Sequence, residues 1–174
     1  MAERFDQPLR LTLIRHAAAT PEQRGQSSDF ERALSPLGEH EAGRMAARLR
    51  AVHFAPDRIV ASSARRTIQT AEAIAAEIGL PLDRIEGSDD LYLASAARWV
   101  DYVVEVDDRF RHLALVGHNP GLTDLWDWLT DDDADSLPTC GVARFELDGL
   151  TSWQELAPGC GRLLDFDCPA RASG

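Results

Sequence analysis

Short apolar runs alternate with helix-forming stretches along most of this chain, and that alternation leaves few folds open. Leu9 to Arg15 (LRLTLIR) reads as a first strand, followed by a polar stretch from Ala17 to Ala33 that contains Pro21 and Gly25. Ser35-Pro36 supplies a helix cap and a proline at the first helical position, ahead of Leu37 to Val52, which is rich in Ala, Glu, Arg and Leu. Arg58 to Ala61 is a second strand, and Ser62-Ser63 is the expected cap of a helix striped by Ile68, Ala71, Ala75 and Ile78. Gly79 and Pro81 stop that helix. A weak strand is expected at Leu82 to Ile85, a loop at Glu86 to Leu93, and a third helix from Ser95 to Asp107. Leu113 to Val116 is a continuous apolar run of the kind buried in parallel sheets. Gly117-His118-Asn119-Pro120 turns it into a helix whose apolar face is Leu122, Leu125, Trp126 and Leu129. Strands are also expected at Gly141 to Asp148 and Trp153 to Asp167, with turns at Asp148-Gly149 and Pro158-Gly159. Successive β-then-α units with a β end predict a three-layer α/β/α sandwich around a mostly parallel central sheet. Residues 1–174 are expected to form a single domain, with C-terminal strands and a tail over 149–174.

Open α/β sheets bind ligands outside the carboxyl ends of their strands, and right-handed crossovers bring those ends to one edge. Three chemistry-bearing stretches lie at predicted strand ends: Arg15-His16, Ser62-Ser63-Ala64-Arg65-Arg66, and Gly117-His118-Asn119-Pro120-Gly121. Two histidines and at least two arginines should therefore converge. Asn119 as cap and Pro120 as first helical residue would leave free backbone N–H groups beside His118, a ready anion site. Arg65 and Arg66 fall in the first turn of a helix, where the macrodipole disfavours a cation by about 0.3–1 kcal/mol, and a bound anion would offset that conflict. His40, His53 and His112 lie in or beside element bodies and read as surface or packing residues.

Together these residues suit phosphoryl transfer through a covalent phosphohistidine. A neutral imidazole is a competent nucleophile near neutral pH. Neighbouring guanidinium groups disfavour the imidazolium by like charge and grip the equatorial phosphoryl oxygens in fork geometry. The second histidine can donate to the same oxygens. No HExxH or similar spacing occurs and the arginines would repel a cation, so neither a metal nor another cofactor is expected.

Composition narrows the partners. A formal net charge of -11 argues against a nucleic-acid surface, and all the basic residues are arginine. Asp131, Asp132, Asp133 and Asp135 read as a solvated loop. No apolar run approaches the roughly 20 residues of a membrane span, and Met1 to Gln7 lacks the apolar stretch of a signal peptide. Cys140, Cys160 and Cys168 offer no disulfide framework, so a reducing, cytoplasmic location is expected.

At this point the residues resemble a known family. The chain resembles the histidine phosphatase superfamily, the phosphoglycerate mutase-like proteins, and within it looks like the short SixA-type phosphohistidine phosphatases. Leu13-Ile14-Arg15-His16-Ala17 matches the family's Arg-His signature, which implies that Arg15 holds phosphate and His16 is phosphorylated. Arg32 to Gly38 (RALSPLG) looks like its Arg-Pro-Leu-Thr-x-x-Gly, which suggests that Arg32 lines the site. Ala61 to Ala71 (ASSARRTIQTA) is similar to Ser-Ser-Pro-x-x-Arg-Ala-x-Gln-Thr-Ala, and counting back from Gln69-Thr70 selects Arg66, not Arg65. Val116 to Gly121 (VGHNPG) is similar to the second-histidine motif, with His118 on the phosphoryl oxygens and Asn119 as a candidate substrate-binding residue. Ala17 replaces the usual glycine and Ser63 the usual proline. No Glu occupies the region where many relatives carry a general acid; Asp89 and Asp90 are the nearest candidates.

The resemblance implies a phosphatase acting on phosphohistidine in a protein or on a small phosphorylated molecule. The short span between motifs leaves little room for a lid. A cofactor-dependent mutase would need longer insertions, and a phosphate-binding module without catalysis would not need the intact Arg15, His16, Arg66 and His118 set.

Overall fold

Strand β1 (Leu9–Arg15) takes the middle of the sheet because both its faces are covered, with Thr12 and Ile14 buried opposite Leu9, Leu11 and Leu13. Leu9, Leu11 and Leu13 enter one core and Ile14 the other, all with essentially no exposed surface. The computed structural model describes residues 7–22 and 28–170; Met1 to Asp6 and Gly25 of the polar stretch lie outside the described residues. The remaining elements are α1 (Pro36–Ala51), β2 (Arg58–Ser62), α2 (Arg65–Ile78), β3 (Ile85–Ser88), α3 (Ala96–Val103), β4 (His112–Gly117), α4 (Gly121–Thr130), β5 (Val142–Leu147) and β6 (Gly161–Asp167). The strand order is β3-β2-β4-β1-β5-β6, with β1, β2, β3 and β4 parallel and β5 antiparallel to both its neighbours.

Helices cover both faces of the sheet. Met45 and Leu49 of α1 and Ile74 of α2 pack with Ile14, Ile59 and Val116 on one side. Trp99 of α3 and Leu122, Leu125 and Leu129 of α4 pack with Leu11, Leu113 and Phe145 on the other. The architecture is the expected three-layer α/β/α sandwich with a mostly parallel sheet. Helix α1 begins as its sequence requires, with Ser35 Oγ accepting from the Gly38 N–H at 3.1 Å and Pro36 in the first turn.

Register positions the functional edge. Arg15 pairs with Gly117 across β1 and β4, so His16 and His118 leave adjacent strand ends side by side. Ala61 pairs with Val116, which brings Ser62 and the start of α2 to the same place.

Several boundaries differ from the sequence reading. The weak strand is shifted: Leu82–Arg84 is a 3-10 turn, and β3 runs Ile85–Ser88, held by pairing of Ile59 with Ile85 and Ser62 with Ser88. Its half-exposed edge position gives it no apolar signature. The third helix is shorter, ending at Val103. Trp153–Glu155 is a 3-10 turn with a Ser152/Glu155 capping box, because the buried Trp153 donates from Nε1 to the Phe110 carbonyl at 2.8 Å. Two caps also differ. Helix α2 starts after Ala64 with no side-chain cap, and α4 starts after Pro120, across a cis Asn119-Pro120 bond.

Candidate active site

His16 is fixed by its backbone before its ring does anything. Its N–H donates to the Gly117 carbonyl and its carbonyl accepts from Cys140 N–H, both at 3.1 Å. The ring Nδ1 lies 2.8 Å from the Ala17 carbonyl, which can only accept, so Nδ1 carries the proton and Nε2 keeps its lone pair. Arg66 Nε donates to that Nε2 at 3.3 Å. The other end of the same guanidinium reaches the second histidine: Arg66 Nη2 lies 3.3 Å from His118 Nδ1, and the two imidazole rings sit 5.2 Å apart. His118 Nε2 points back to Ser62 Oγ at 2.9 Å.

Burial is the largest cause that lowers the His16 pKa, to about 4; Arg66, Arg15 and Arg32 add like-charge repulsion, and the Ala17 bond opposes them. His118 is brought down to about 3, again by burial first, then by His16 and Arg66. Both rings are therefore neutral near pH 7. The sequence reading credited the arginines with this effect; desolvation outranks them.

Arg15 approaches from β1, its Nη1 donating to the Leu137 carbonyl at 3.0 Å while its buried Nε has no partner. Arg66 is only 4% exposed, whereas Arg65 points to solvent. Arg32 donates from Nε to the Thr20 carbonyl at 2.8 Å and from Nη1 to Asp29 at 2.6 Å. Asn119 does not cap α4: its Nδ2 donates to Ser136 Oγ at 3.0 Å and to the Leu137 carbonyl at 2.8 Å, the carbonyl that also holds Arg15. Its Oδ1 is buried without a partner.

Asp89 and Asp90 are not brought to the two histidines. Both are exposed on a 3-10 turn, and Asp90 is paired with Arg98 at 2.8 Å. The carboxylate that does reach the site is Asp29, which the sequence reading missed. Its Oδ2 accepts from Arg66 Nη2 at 2.9 Å and from the Tyr92 hydroxyl, its Oδ1 from Arg32, and its carbonyl from Arg66 Nη1 at 2.6 Å. The Tyr92 hydrogen bond is the first cause, with those of Arg32 and Arg66, that lowers its pKa to about 2. Asp29 is thus a permanent anion that orients two arginines. Its polar setting has no periodicity, so only its spacing ahead of Arg32 could have flagged it.

The motif residues that do not face the site hold it in place. Thr70 Oγ1 accepts from Ala17 N–H at 3.1 Å, and Gln69 Oε1 accepts from Leu34 N–H at 2.8 Å. A Cβ on Gly38 would come 1.9 Å from the Ala18 carbonyl oxygen, so only glycine lets α1 approach the segment after His16.

The histidine phosphatase superfamily (branch 1) profile matches residues 11–118. The chain belongs to that superfamily. An uncharacterised protein of Mycobacterium tuberculosis (strain CDC 1551 / Oshkosh) is 30% identical over 152 residues, covering 82% of this chain and 92% of its own. The crystal structure of a candidate phosphohistidine phosphatase SixA from Agrobacterium tumefaciens superposes with a TM-score of 0.81 at 28% identity, covering 94% of this chain and all (100%) of its own. A protein histidine phosphatase SixA complexed with tungstate gives a TM-score of 0.78 at 21% identity, over 92% of this chain and 97% of its own, a likeness of fold. The chain is a histidine phosphatase whose fold is similar to that of the SixA structures. Among the described residues, no helix is long and apolar enough to cross a membrane.

Proposed function

We propose that this phosphatase hydrolyses phosphohistidine on a protein through a phosphohistidine formed on its own His16. The observation that carries the reading is the lone pair on His16 Nε2, held by the Ala17 bond and faced by Arg66. The nitrogen attacks phosphorus while Arg15 and Arg66 take the equatorial oxygens and His118 contributes its ring edge. As the new N–P bond forms, the substrate's own N–P bond breaks and its electron pair returns to the leaving imidazole. Water then attacks phosphorus, inorganic phosphate leaves, and the electron pair returns to His16.

Leaving-group demand favours this substrate class. The carboxylate bonded to the site residues, Asp29, stays ionised down to about pH 2 and has no proton to give at neutral pH. An alkoxide needs such a proton. A phosphohistidine protonated on its other ring nitrogen departs as neutral imidazole and does not. The guanidiniums around both histidines also disfavour a bound cation, in keeping with chemistry that needs no metal. Likeness to SixA chains supports the same substrate, and the unpaired cysteines suit the cytoplasm.

The test is turnover of a histidine-phosphorylated phosphotransfer domain against alkyl and aryl phosphate monoesters, with and without EDTA. The reading expects preference for the phosphoramidate, with aryl above alkyl phosphates and no EDTA effect. Preference for an alkyl phosphate would favour a metabolite phosphatase instead, the kind of activity borne by a mycobacterial glucosyl-3-phosphoglycerate phosphatase of the same fold.

A further inference from the structure

Ser62 closes β2 at the functional edge, fully buried, and the sequence reading had it as a helix cap. It caps nothing. Its hydroxyl oxygen accepts weakly from Ala64 N–H at 3.3 Å and otherwise faces His118 Nε2 at 2.9 Å.

His118 has a single ring proton to place, because it is neutral. The Arg66 guanidinium decides where. A guanidinium can only donate, so its Nη2 at 3.3 Å obliges His118 Nδ1 to accept. The proton then lies on Nε2 and is donated to Ser62 Oγ. That tautomer is wrong for catalysis. The phosphoryl group must face His16 Nε2, on the side where Arg66 and His118 Nδ1 converge, and an Nδ1 lone pair repels a phosphoryl oxygen. His118 can help only with its proton on Nδ1, which requires something at Nε2 to donate.

We propose that Ser62 is a positioning residue that supplies this donor, moving His118 from acceptor toward Arg66 to donor toward the bound oxyanion. The inference rests on the phosphoryl-binding reading above. When an oxyanion arrives, the Arg66 Nη2–H leaves His118 Nδ1 for an anionic oxygen. Ser62 then turns its hydroxyl proton onto Nε2, and Nδ1–H donates to the oxyanion. The serine favours this direction: with His118 and Ala64 both donating to it, its own hydroxyl proton has no acceptor among the described bonds. Only the loaded arrangement uses that proton. No proton need cross the pocket, because imidazole exchange with water accounts for the change of tautomer.

The experiment is long-range 1H–15N correlation NMR on the full chain labelled with 15N-histidine, titrated with sodium tungstate, in wild type and Ser62→Ala. Wild type is expected to carry the His118 proton on Nε2 without tungstate and on Nδ1 at saturation. Ser62→Ala should bind tungstate about tenfold more weakly, because without the hydroxyl donor at Nε2 His118 does not hold its proton on Nδ1 and its bond to the oxyanion is lost. A wild-type His118 that keeps its proton on Nε2 at saturation overturns the proposal, as does unchanged tungstate affinity in Ser62→Ala. The wild-type result stands even if the variant folds poorly. A failure of the underlying reading is distinguishable: tungstate would then leave the His16 resonances unmoved, and both inferences would fall together.

Discussion

The two edges of the sheet both bury histidine among arginines, yet only at the carboxyl edge does an arginine bridge two histidines. At the amino edge His112 opens β4, its Nε2 2.9 Å from Thr12 Oγ1 and its ring edge-on to Phe54. Burial brings its pKa to about 4, as for His16. Arg111, 5% exposed, donates to the Gln7 and Thr151 carbonyls, and the backbone N–H groups of Arg111 and His112 both bond Asp57 Oδ2. A cleft of about 410 Å³ lies there, lined by Arg10, Asp57, Arg111 and His112 among others. By burial, charge and cavity alone this edge would pass for the site.

What separates the edges is how each histidine is held, since each edge also keeps a buried arginine nitrogen without a hydrogen-bond partner, Arg58 Nε at the amino end of β2 and Arg15 Nε at the carboxyl end of β1. At the amino edge, Arg111 and His112 make short bonds to groups fixed in the fold. At the carboxyl edge the Arg66 bonds to both histidines are long, the buried Arg15 Nε and Asn119 Oδ1 have no partner, and the His16 lone pair faces a donor a phosphate could take over. A neutral buried histidine is a common product of packing. A guanidinium held in long bonds between two neutral histidines is not.

That contrast can be broken by substitution. His16→Ala should reduce turnover by about 10⁴-fold or more, the loss expected of a covalent nucleophile, whereas His112→Asn should leave steady-state rates within about twofold and instead lower the urea midpoint. Comparable losses would erase the distinction. Next in size, Arg66→Ala should cost about 10²–10³-fold in kcat with one oxyanion clamp gone; Arg65→Ala, on the exposed side of the same turn, should match wild type. Asp29→Asn keeps its size but removes the anion behind Arg66 and Arg32, and a loss of about tenfold is expected in kcat/KM, from one weakened charge-assisted contact.

Acid titration sharpens the same comparison with a smaller effect. In the proposed mechanism His16 attacks as a neutral ring, so the rate, corrected for substrate ionisation, should hold below pH 5 and fall only as pH approaches about 4. Stability follows a different window. Unfolded histidines take up protons near 6.5, while His16 and His112 resist until about 4 and His118 until about 3. Their contribution is complete above pH 6.5 and is lost as pH falls from there toward 4. His112→Asn should flatten part of that stability loss, read by urea denaturation across pH, and leave the rate profile where it was.

The sequence reveals most where local rules and tertiary demands agree. Strand ends carrying Arg15-His16 and Gly117-His118 could be read because parallel β-α connections place them at one edge, and the register of β1 against β4 does so. Local propensity marks Ser62 and Asn119 as caps, since it carries no information that a buried hydroxyl meets a histidine 56 residues on, or that an amide reaches the Leu137 carbonyl. Asp29 was invisible for a similar reason: its partners Arg66 and Tyr92 lie 37 and 63 residues away. In the Ser88-to-Tyr92 stretch the structure turns Tyr92, not Asp89 or Asp90, toward the site, since the 3-10 turn there sends the two carboxylates to solvent.

The central claim is that His16 Nε2, and no other nitrogen, takes the phosphoryl group. Rapid quench of the enzyme with 32P-labelled phosphohistidine protein, followed by peptide mapping under alkaline conditions, tests it directly. The account predicts a base-stable, acid-labile label on the peptide containing His16, absent from His16→Ala and present in His112→Asn. Label on another residue, or full turnover by His16→Ala, would contradict it.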